Sequence, residues 1–201
     1  MSKKYNDPSI TINKVYTKMG DQGKTKLVGG QKISKDDIRV VSYGEVDELN
    51  ASIALIIEVI KSDFKSTKYK DINLLLLQIQ NKLFNLGTMI AALPENINSK
   101  TPQISKDDVE FLEQKIDYYN NENNTLKSFV IPGGNLPNSY IHLSRTICRR
   151  AERSCVSLLN TQNISDIVVV YLNRLSDLLF VLSRVVIKYS NNKENLWDPN
   201  S

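Results

Sequence analysis

Three arginines, Arg145, Arg149 and Arg153, recur every four residues in the C-terminal half of the chain. At this spacing they share one face of an α-helix, where three guanidinium groups in a row repel one another unless something supplies negative charge. A triphosphate or facing carboxylates would supply it, because guanidinium binds both through paired hydrogen bonds. A solvated basic face braced by the neighbouring Glu152 explains the spacing equally well.

A second polar group lies in the next apolar segment, where Asn173 and Asp177 stand one helical turn apart. The surrounding run, 167–187, is apolar almost all round, which predicts a helix at the centre of a bundle. Polar side chains on a buried helix need hydrogen-bond partners. Those partners are either neighbouring side chains or a bound ligand, and the sequence leaves both open.

Near the N-terminus, residues 17–25 read TKMGDQGKT. Glycines leave backbone N–H groups free to approach phosphate oxygens, while lysines and hydroxyl groups add further donors. The ending Gly23-Lys24-Thr25 is like that of a Walker A motif, but only two residues separate the glycines where that motif has four. The segment predicts an anion-binding loop that is not an ordinary P-loop.

The remaining candidates for chemistry are few. Glu45, Asp47 and Glu48 fall in the first turn of a helix predicted from Gly44, where acids complement the helix dipole, and one of them could serve as a counter-ion for the arginines. His142 is the single histidine, and without nearby cysteines it is a poor metal ligand, so we interpret it as structural. No Ser/His/Asp set can be assembled, so nucleophilic hydrolysis is unsupported.

Apolar periodicity predicts the elements that must position these residues. Five helices are expected, from Gly44 onward and over 71–92, 105–120, 137–160 and 165–190, with Ser105 and Ser165 as N-caps. The fourth has an expected apolar stripe formed by Tyr140, Leu143, Ile147, Ala151 and Leu158. Residues 1–35 should form a loop with a short extended piece, and 129–134 a second loop. This pattern indicates an all-α, five-helix bundle with an N-terminal glycine-containing loop.

Composition sets the outer limits. With 201 residues, 41% of them hydrophobic and 24% charged, the chain is one globular domain and not a disordered protein. We divide it into an N-terminal loop region (1–35), a helical bundle (36–191) and a tail (192–201). The net charge of +4 fits an anionic small ligand as well as nucleic acid. If helical, Cys148 and Cys155 lie too far apart to bridge, which favours reduced thiols and a cytoplasmic protein.

Five segments in order together resemble one known family. They are TKMGDQGKT at 17–25, YGEVDELN at 43–50, FVIPGG at 129–134, RRAER at 149–153 and NRLSD at 173–177. The chain resembles the trimeric, PduO-type ATP:cob(I)alamin adenosyltransferases from about residue 13 to 190. The resemblance implies a five-helix bundle that forms a homotrimer, with one active site at each subunit interface.

The resemblance also implies roles for particular residues. Contacts to the nucleotide would come from Arg149, Glu152, Arg153 and Asn173, and Glu152 would also contact its Mg²⁺, directly or indirectly. Asp47 would pair with Arg149 across the interface. The aromatic at Phe129 would pack against the corrin and keep the lower axial ligand off cobalt. The positions implied to wrap the ATP triphosphate are Thr17, Lys18, Gly20, Asp21, Gly23 and Thr25.

The implied reaction transfers the 5′-deoxyadenosyl group of ATP to cob(I)alamin, giving adenosylcobalamin and triphosphate. Cobalt itself is the nucleophile, which is consistent with the lack of a protein nucleophile. Neither a nucleic acid nor a membrane is an expected partner. Two alternatives stay open: a helical nucleic-acid-binding module using the arginine row, and a nucleotide sensor without turnover. The sequence also leaves two questions open. One is whether the product is handed to an adenosylcobalamin-dependent enzyme, and the other is whether Trp197 closes the corrin pocket.

Overall fold

The computed structural model describes residues 16, 18–63 and 66–200, and within them the chain is mostly helical, as predicted. The strands are short and form two antiparallel pairs: β1 (Lys24–Lys26) with β2 (Lys32–Ser34), and β3 (Val130–Ile131) with β4 (Asn195–Leu196). The first pair is the short extended piece expected in the N-terminal loop. The helices are α1 (Ile38–Asp63), α2 (Thr67–Ala91), α3 (Lys106–Asn120), α4 (Leu136–Thr161) and α5 (Ile167–Tyr189).

Helix α5 lies at the centre of the bundle, which confirms the prediction from its apolar composition. It packs against α3 and α4 and, over a smaller area, against α2, while α1 packs against α2 and α4. Fully buried side chains lie along one face of α5, at Leu172, Leu175 and Leu179, and on another face, at Val185. Each contributes roughly 1.5–3 kcal/mol of hydrophobic stabilisation.

The two predicted N-caps differ in outcome. Ser105 caps α3 as expected: its Oγ accepts a hydrogen bond from the Asp108 amide at 3.4 Å, and Asp108 Oδ2 accepts one from the Ser105 amide at 2.9 Å. The prediction for Ser165 is wrong, because Asp166 is the N-cap of α5 and neither side chain makes a capping bond. Backbone carbonyls accept instead, with the Val168 amide 3.3 Å from Ser165 O.

Helix α1 begins at Ile38, earlier than the predicted start at Gly44. The carboxylate of Asp37 sets this start, because its Oδ1 accepts a hydrogen bond from the Arg39 amide at 2.8 Å. The acids predicted for the first turn, Glu45, Asp47 and Glu48, therefore lie in later turns. The helix dipole has little effect there, so it does not account for them.

Two further details correct the predictions. Leu143 was expected in the apolar stripe of α4 but is 48% exposed, whereas Ile147, Ala151 and Leu158 of the same stripe are buried as predicted. The buried face is centred on positions 144, 148, 151 and 155, which leaves Leu143 beyond its edge. Residues 130–131, expected in a loop, form β3.

Cys148 and Cys155 are buried free thiols, as predicted. Within the described ranges no helix is both long and apolar enough to span a bilayer.

Arg39 joins three helices at one end of the bundle, although it is only 1% exposed. Its Nη1 donates to Ile90 O at 2.6 Å and to Ala92 O at 3.0 Å, at the end of α2. Its Nε donates to Gln162 Oε1 at 2.9 Å, just after α4. The guanidinium thus supplies donors to carbonyls that no longer have partners within their own helix.

We expect Arg39→Met to lower the free energy of unfolding by about 2–4 kcal/mol, since it leaves buried carbonyls without donors. Chemical denaturation at a fixed protein concentration measures the change. Lys70→Met is the matched control, because Lys70 is exposed on α2. Equal stability of the two variants would show that Arg39 contributes little.

Candidate functional site

The hairpin of β1 and β2 concentrates positive charge on one face. Lys26 stands opposite Lys32 in the strand register, and Lys24 shares the face of Lys26 because side chains alternate along a strand. Like charges directly opposite each other destabilise a hairpin. Among the described residues none of these lysines makes an ion pair. This face is suited to an anion that relieves the repulsion.

The three lysines line a cavity of about 430 Å³, together with Lys35, Gly20 and Thr25. The structure thereby places two of the predicted loop residues, Gly20 and Thr25, in a cationic cavity. Sequence reasoning passed over Lys26, Lys32 and Lys35. The available signal was the alternation of lysines in the run KTK at 24–26, followed closely by Lys32 and Lys35.

The turn before β1 holds the other predicted loop residues. Asp21 N donates to Lys18 O at 3.4 Å, and Gly23 N donates to Gly20 O at 3.2 Å. Gly23 has a φ of 74°, a conformation that favours glycine and allows the chain to turn into the strand. Thr17 lies outside the described residues.

A chain of polar side chains links α3, α4 and α5. Asn173 Nδ2 donates to Glu152 Oε1 at 3.2 Å, and Arg174 Nη1 donates to Asn173 Oδ1 at 2.8 Å. Arg174 Nε completes the chain at 2.6 Å from Glu113 Oε1. Neighbouring side chains therefore satisfy Asn173, one of the two explanations left open by the sequence. Asp177, one turn further along α5, is exposed.

The arginine row on α4 divides into two environments. Arg149 and Arg153 are exposed and form no ion pair with a described residue, so Glu152 does not brace them. Arg145 is half-buried, and its Nε donates to His142 Nδ1 at 3.4 Å. The row thus presents two guanidinium groups without an ion pair to a described residue, Arg149 and Arg153, and one that is hydrogen-bonded to His142, Arg145.

The acids of α1 pair with an arginine outside the row. Arg150 Nε lies 3.7 Å from Glu45 Oε1, and its Nη2 contacts Glu48 Oε2. Asp47 between them is exposed and, among the described residues, makes neither a hydrogen bond nor an ion pair. Within one chain the structure does not bring Asp47 and Arg149 together.

An apolar groove lies beside Asp47, between α1 and α2. It has a volume of about 310 Å³, and its lining includes Asp47, Tyr43, Val28 and Phe84. Phe84 is 68% exposed. An exposed carboxylate at the edge of an exposed aromatic surface is typical of a protein–protein contact.

Phe129, the predicted corrin residue, lines a cavity of about 630 Å³. Its side chain is 77% exposed, and its ring centroid lies 6.0 Å from that of Trp197. Phe180 and Arg145 also line this cavity. The cavity offers aromatic walls and two cationic side chains, Arg145 and Lys127, which suits a large, mostly apolar ligand with polar edges.

His142 lines the same cavity but is only 3% exposed. Burial, and to a smaller extent the positive charge of Arg145, lowers the pKa of His142 to about 4, against an opposing effect of Glu194. The imidazole is therefore neutral near pH 7, and its Nδ1 accepts the bond from Arg145. Its Nε2 makes no hydrogen bond with the described residues.

Comparisons with known proteins agree with this geometry. Residues 15–186 match the cobalamin adenosyltransferase family. The chain is 43% identical over 173 residues to a corrinoid adenosyltransferase of Bacillus subtilis (strain 168), covering 86% of each chain. It is 37% identical over 186 residues to a cobalamin adenosyltransferase of Cupriavidus metallidurans, covering 92% of this chain and 95% of that one.

A solved structure is similar over the same extent. It is a variant of a PduO-type ATP:corrinoid adenosyltransferase from Lactobacillus reuteri, complexed with cobalamin and ATP. The TM-score is 0.84 at 33% identity, over 92% of this chain and 99% of the other. The likeness therefore extends over both the helical bundle and most of the N-terminal region.

The burial of His142 predicts a dependence of stability on pH. In the unfolded chain His142 becomes protonated as the pH falls below its ordinary pKa of 6.5. In the folded chain it stays neutral until the pH reaches about 4. Stability should therefore fall as the pH falls through that window. Between pH 7 and pH 5 we expect the wild-type protein to lose about 1–2 kcal/mol more than His142→Gln, measured by chemical denaturation. Parallel losses in both proteins would contradict a neutral, buried His142.

Proposed function

The chain belongs to the cobalamin adenosyltransferase family, and from this membership we propose that it transfers the 5′-deoxyadenosyl group of ATP to cob(I)alamin. The products are adenosylcobalamin and triphosphate. The observation that carries the proposal is the arrangement of α4. Arg145 lines the aromatic cavity, while Arg153 is exposed about 12 Å further along the helix, given a rise of 1.5 Å per residue. One helix thus presents a group to each substrate.

The reaction requires no covalent bond between the protein and either substrate. Cobalt in cob(I)alamin supplies the electron pair that forms the Co–C5′ bond, and the C5′–O bond of ATP breaks with its electrons leaving on triphosphate. Neither a protein nucleophile nor a general base is required. The chain's tasks are to align C5′ with cobalt and to stabilise the charge that develops on the leaving group.

The cationic cavity and the free arginines suit the leaving group. In this proposal Thr17, Lys18, Gly20, Asp21, Gly23 and Thr25 wrap the triphosphate, with Lys24, Lys26, Lys32 and Lys35 around it. Arg149, Arg153 and Asn173 contact the nucleotide from α4 and α5. Within the described residues no hydrogen bond joins the hairpin to these arginines, which supports a site completed by two chains.

Magnesium fits this site only in company with the nucleotide. The described residues contain no cluster of three or more His, Cys, Asp or Glu side chains able to hold a metal ion. Mg²⁺ commonly binds through one or two carboxylates together with substrate phosphates and water. Glu152, which already accepts a hydrogen bond from Asn173, is the carboxylate placed for that role. Bound there, the ion would offset charge on the triphosphate.

A homotrimer with an active site at each interface accounts for the unpaired charges. Asp47 and Arg149 are exposed and oppositely charged, and the groove at Asp47 presents apolar surface. A contact between two different surfaces closes into a ring when repeated by rotation. Asp47 of one chain then pairs with Arg149 of the next. The buried free thiols support a reducing, cytoplasmic setting.

Phe129 suits the corrinoid side of the reaction. An aromatic ring that is 77% exposed at the mouth of a cavity can cover one face of the corrin. By occupying that face it would keep the lower axial ligand away from cobalt. Removal of that ligand makes Co(II) easier to reduce to the nucleophilic Co(I) state.

A spectral assay with chemically reduced cobalamin, ATP and Mg²⁺ tests the proposed reaction, with triphosphate measured in the same sample. We expect a light-sensitive alkylcobalamin spectrum and stoichiometric triphosphate. ATP binding without any spectral change would favour a nucleotide sensor. Salt-dependent binding of an oligonucleotide, with no ATP binding, would favour a nucleic-acid module instead.

Arg153→Ala should lower kcat/KM by about 100-fold in this assay, because it removes a charge that stabilises the departing triphosphate. Arg150→Ala is the matched control: Arg150 is an arginine on the same helix whose ion pairs are with Glu45 and Glu48. Surface pairs of that kind contribute little, so this variant should keep its turnover within about twofold. Normal rates in a folded Arg153→Ala protein would remove Arg153 from the site.

Charge reversal tests the pairing between Asp47 and Arg149. Asp47→Arg should weaken the trimer, because it places two arginines face to face, and adding Arg149→Asp should restore it. Sedimentation measures assembly, independently of any effect on ATP binding. Glu58→Arg, also on the exposed surface of α1, is the control. A single Asp47→Arg variant that assembles normally would show that the pairing is wrong.

A further inference from the structure

The segment after α5 is part of the wall of the Phe129 cavity. Its strand β4 pairs with β3, and the Trp197 amide donates to Phe129 O at 2.8 Å. Ser128 Oγ donates to Trp197 O at 2.7 Å. These bonds bring the indole ring to 6.0 Å from the Phe129 ring, centroid to centroid. Trp197 is the single tryptophan of the chain.

The base of this segment is held by a buried charge on α5. Arg184 is 6% exposed, and its Nε lies 2.6 Å from Glu194 Oε1. Its Nη2 donates to Glu194 Oε2 at 3.1 Å, so the guanidinium binds both carboxylate oxygens. The same Nη2 also donates to Asn124 O at 2.8 Å. Paired bonds of this kind fix orientation as well as position.

Arg184 stands where an apolar residue would otherwise be expected. The positions around it on α5, Val181, Val185 and Ile187, are buried hydrophobic side chains. Burying a guanidinium among them carries a desolvation penalty that only well-formed partners offset. Those partners come from outside the helix, and the carboxylate among them lies three residues before Trp197.

The glycines of the FVIPGG motif make room for the same segment. Gly134 has a φ of 98°, and a Cβ built there would lie 2.8 Å from Ile187 Cδ1 and 3.4 Å from Lys193 O. Asn192 Nδ2 donates to Gly134 O at 2.9 Å. A side chain at 134 would push against α5 and the C-terminal segment at once. The segment after α5 is therefore held at its start by the contact with Gly134 and near its end by the bonds of Trp197.

From these contacts we propose that Arg184 is a positioning residue, which holds the C-terminal segment through Glu194 so that Trp197 forms a wall of the corrinoid site. The proposal rests on the proposed function for the identity of the ligand. It assigns Arg184 no contact with either substrate. Its effect reaches the corrinoid through Glu194, β4 and Trp197.

The fluorescence of Trp197 tests the positioning directly, without any substrate. We expect Arg184→Met and Glu194→Gln to shift the emission to longer wavelength and to increase quenching by acrylamide, because the indole loses its fixed contacts. Glu194→Gln leaves α5 untouched and keeps the test informative if Arg184→Met does not fold. Glu58→Gln is the matched control, since Glu58 pairs with Lys61 on the surface of α1.

The kinetic test separates the two substrates. Both variants should raise the KM for cob(I)alamin about threefold to tenfold, the effect of losing one aromatic contact, with the KM for ATP unchanged within about twofold. Unchanged fluorescence in both variants would overturn the positioning role. Altered fluorescence with an unchanged KM for cob(I)alamin would overturn the role of Trp197 in the corrinoid site. If wild-type protein makes no adenosylcobalamin, the proposed function fails, while the fluorescence still decides whether Arg184 holds the segment.

Discussion

The burial of α5 on nearly every side is the constraint on which the rest of this structure depends. An apolar helix of this kind must be surrounded, and α3 and α4 pack directly against it. α4 is in turn covered on another side by α1. What remains of α4 is a narrow exposed surface, and Arg149 and Arg153 lie on it. The central helix thereby determines which groups can meet a ligand.

The polar residues of α5 are best understood against this background. Asn173 near its start is bonded to Glu152, beside the free arginines of α4. Arg184 near its end is bonded to Glu194, beside the aromatic cavity. Eleven residues separate the two, or about 16 Å along the axis. The most hydrophobic helix thus carries one polar contact near its start and one near its end, each toward one proposed substrate.

Local patterns predicted much of this fold, and distant contacts supplied what they missed. The apolar period identified all five helices, and the Ser105 cap was readable because both of its partners lie within four residues. The start of α1 was missed although its cap, Asp37, is local, because the charged Arg39 in the first turn breaks the apolar pattern and is buried only by partners far along the chain. β4 was missed because a two-residue strand has no periodicity, and it forms only by pairing with β3. Asp47 and Arg149 form no ion pair with any described residue, so their pairing stays a prediction.

The small size of the β1–β2 hairpin has a consequence for the release of product. Four lysines hold an anion more firmly the more charge it carries, and triphosphate bears at least as much negative charge as the ATP from which it came. In the proposed reaction, the lysine-lined cavity would therefore bind the triphosphate product at least as strongly as it binds ATP. Two strands of three residues each form a marginal structure with few bonds to break. Such a hairpin can open at little cost in free energy, and its opening would allow the triphosphate to dissociate in the proposed reaction.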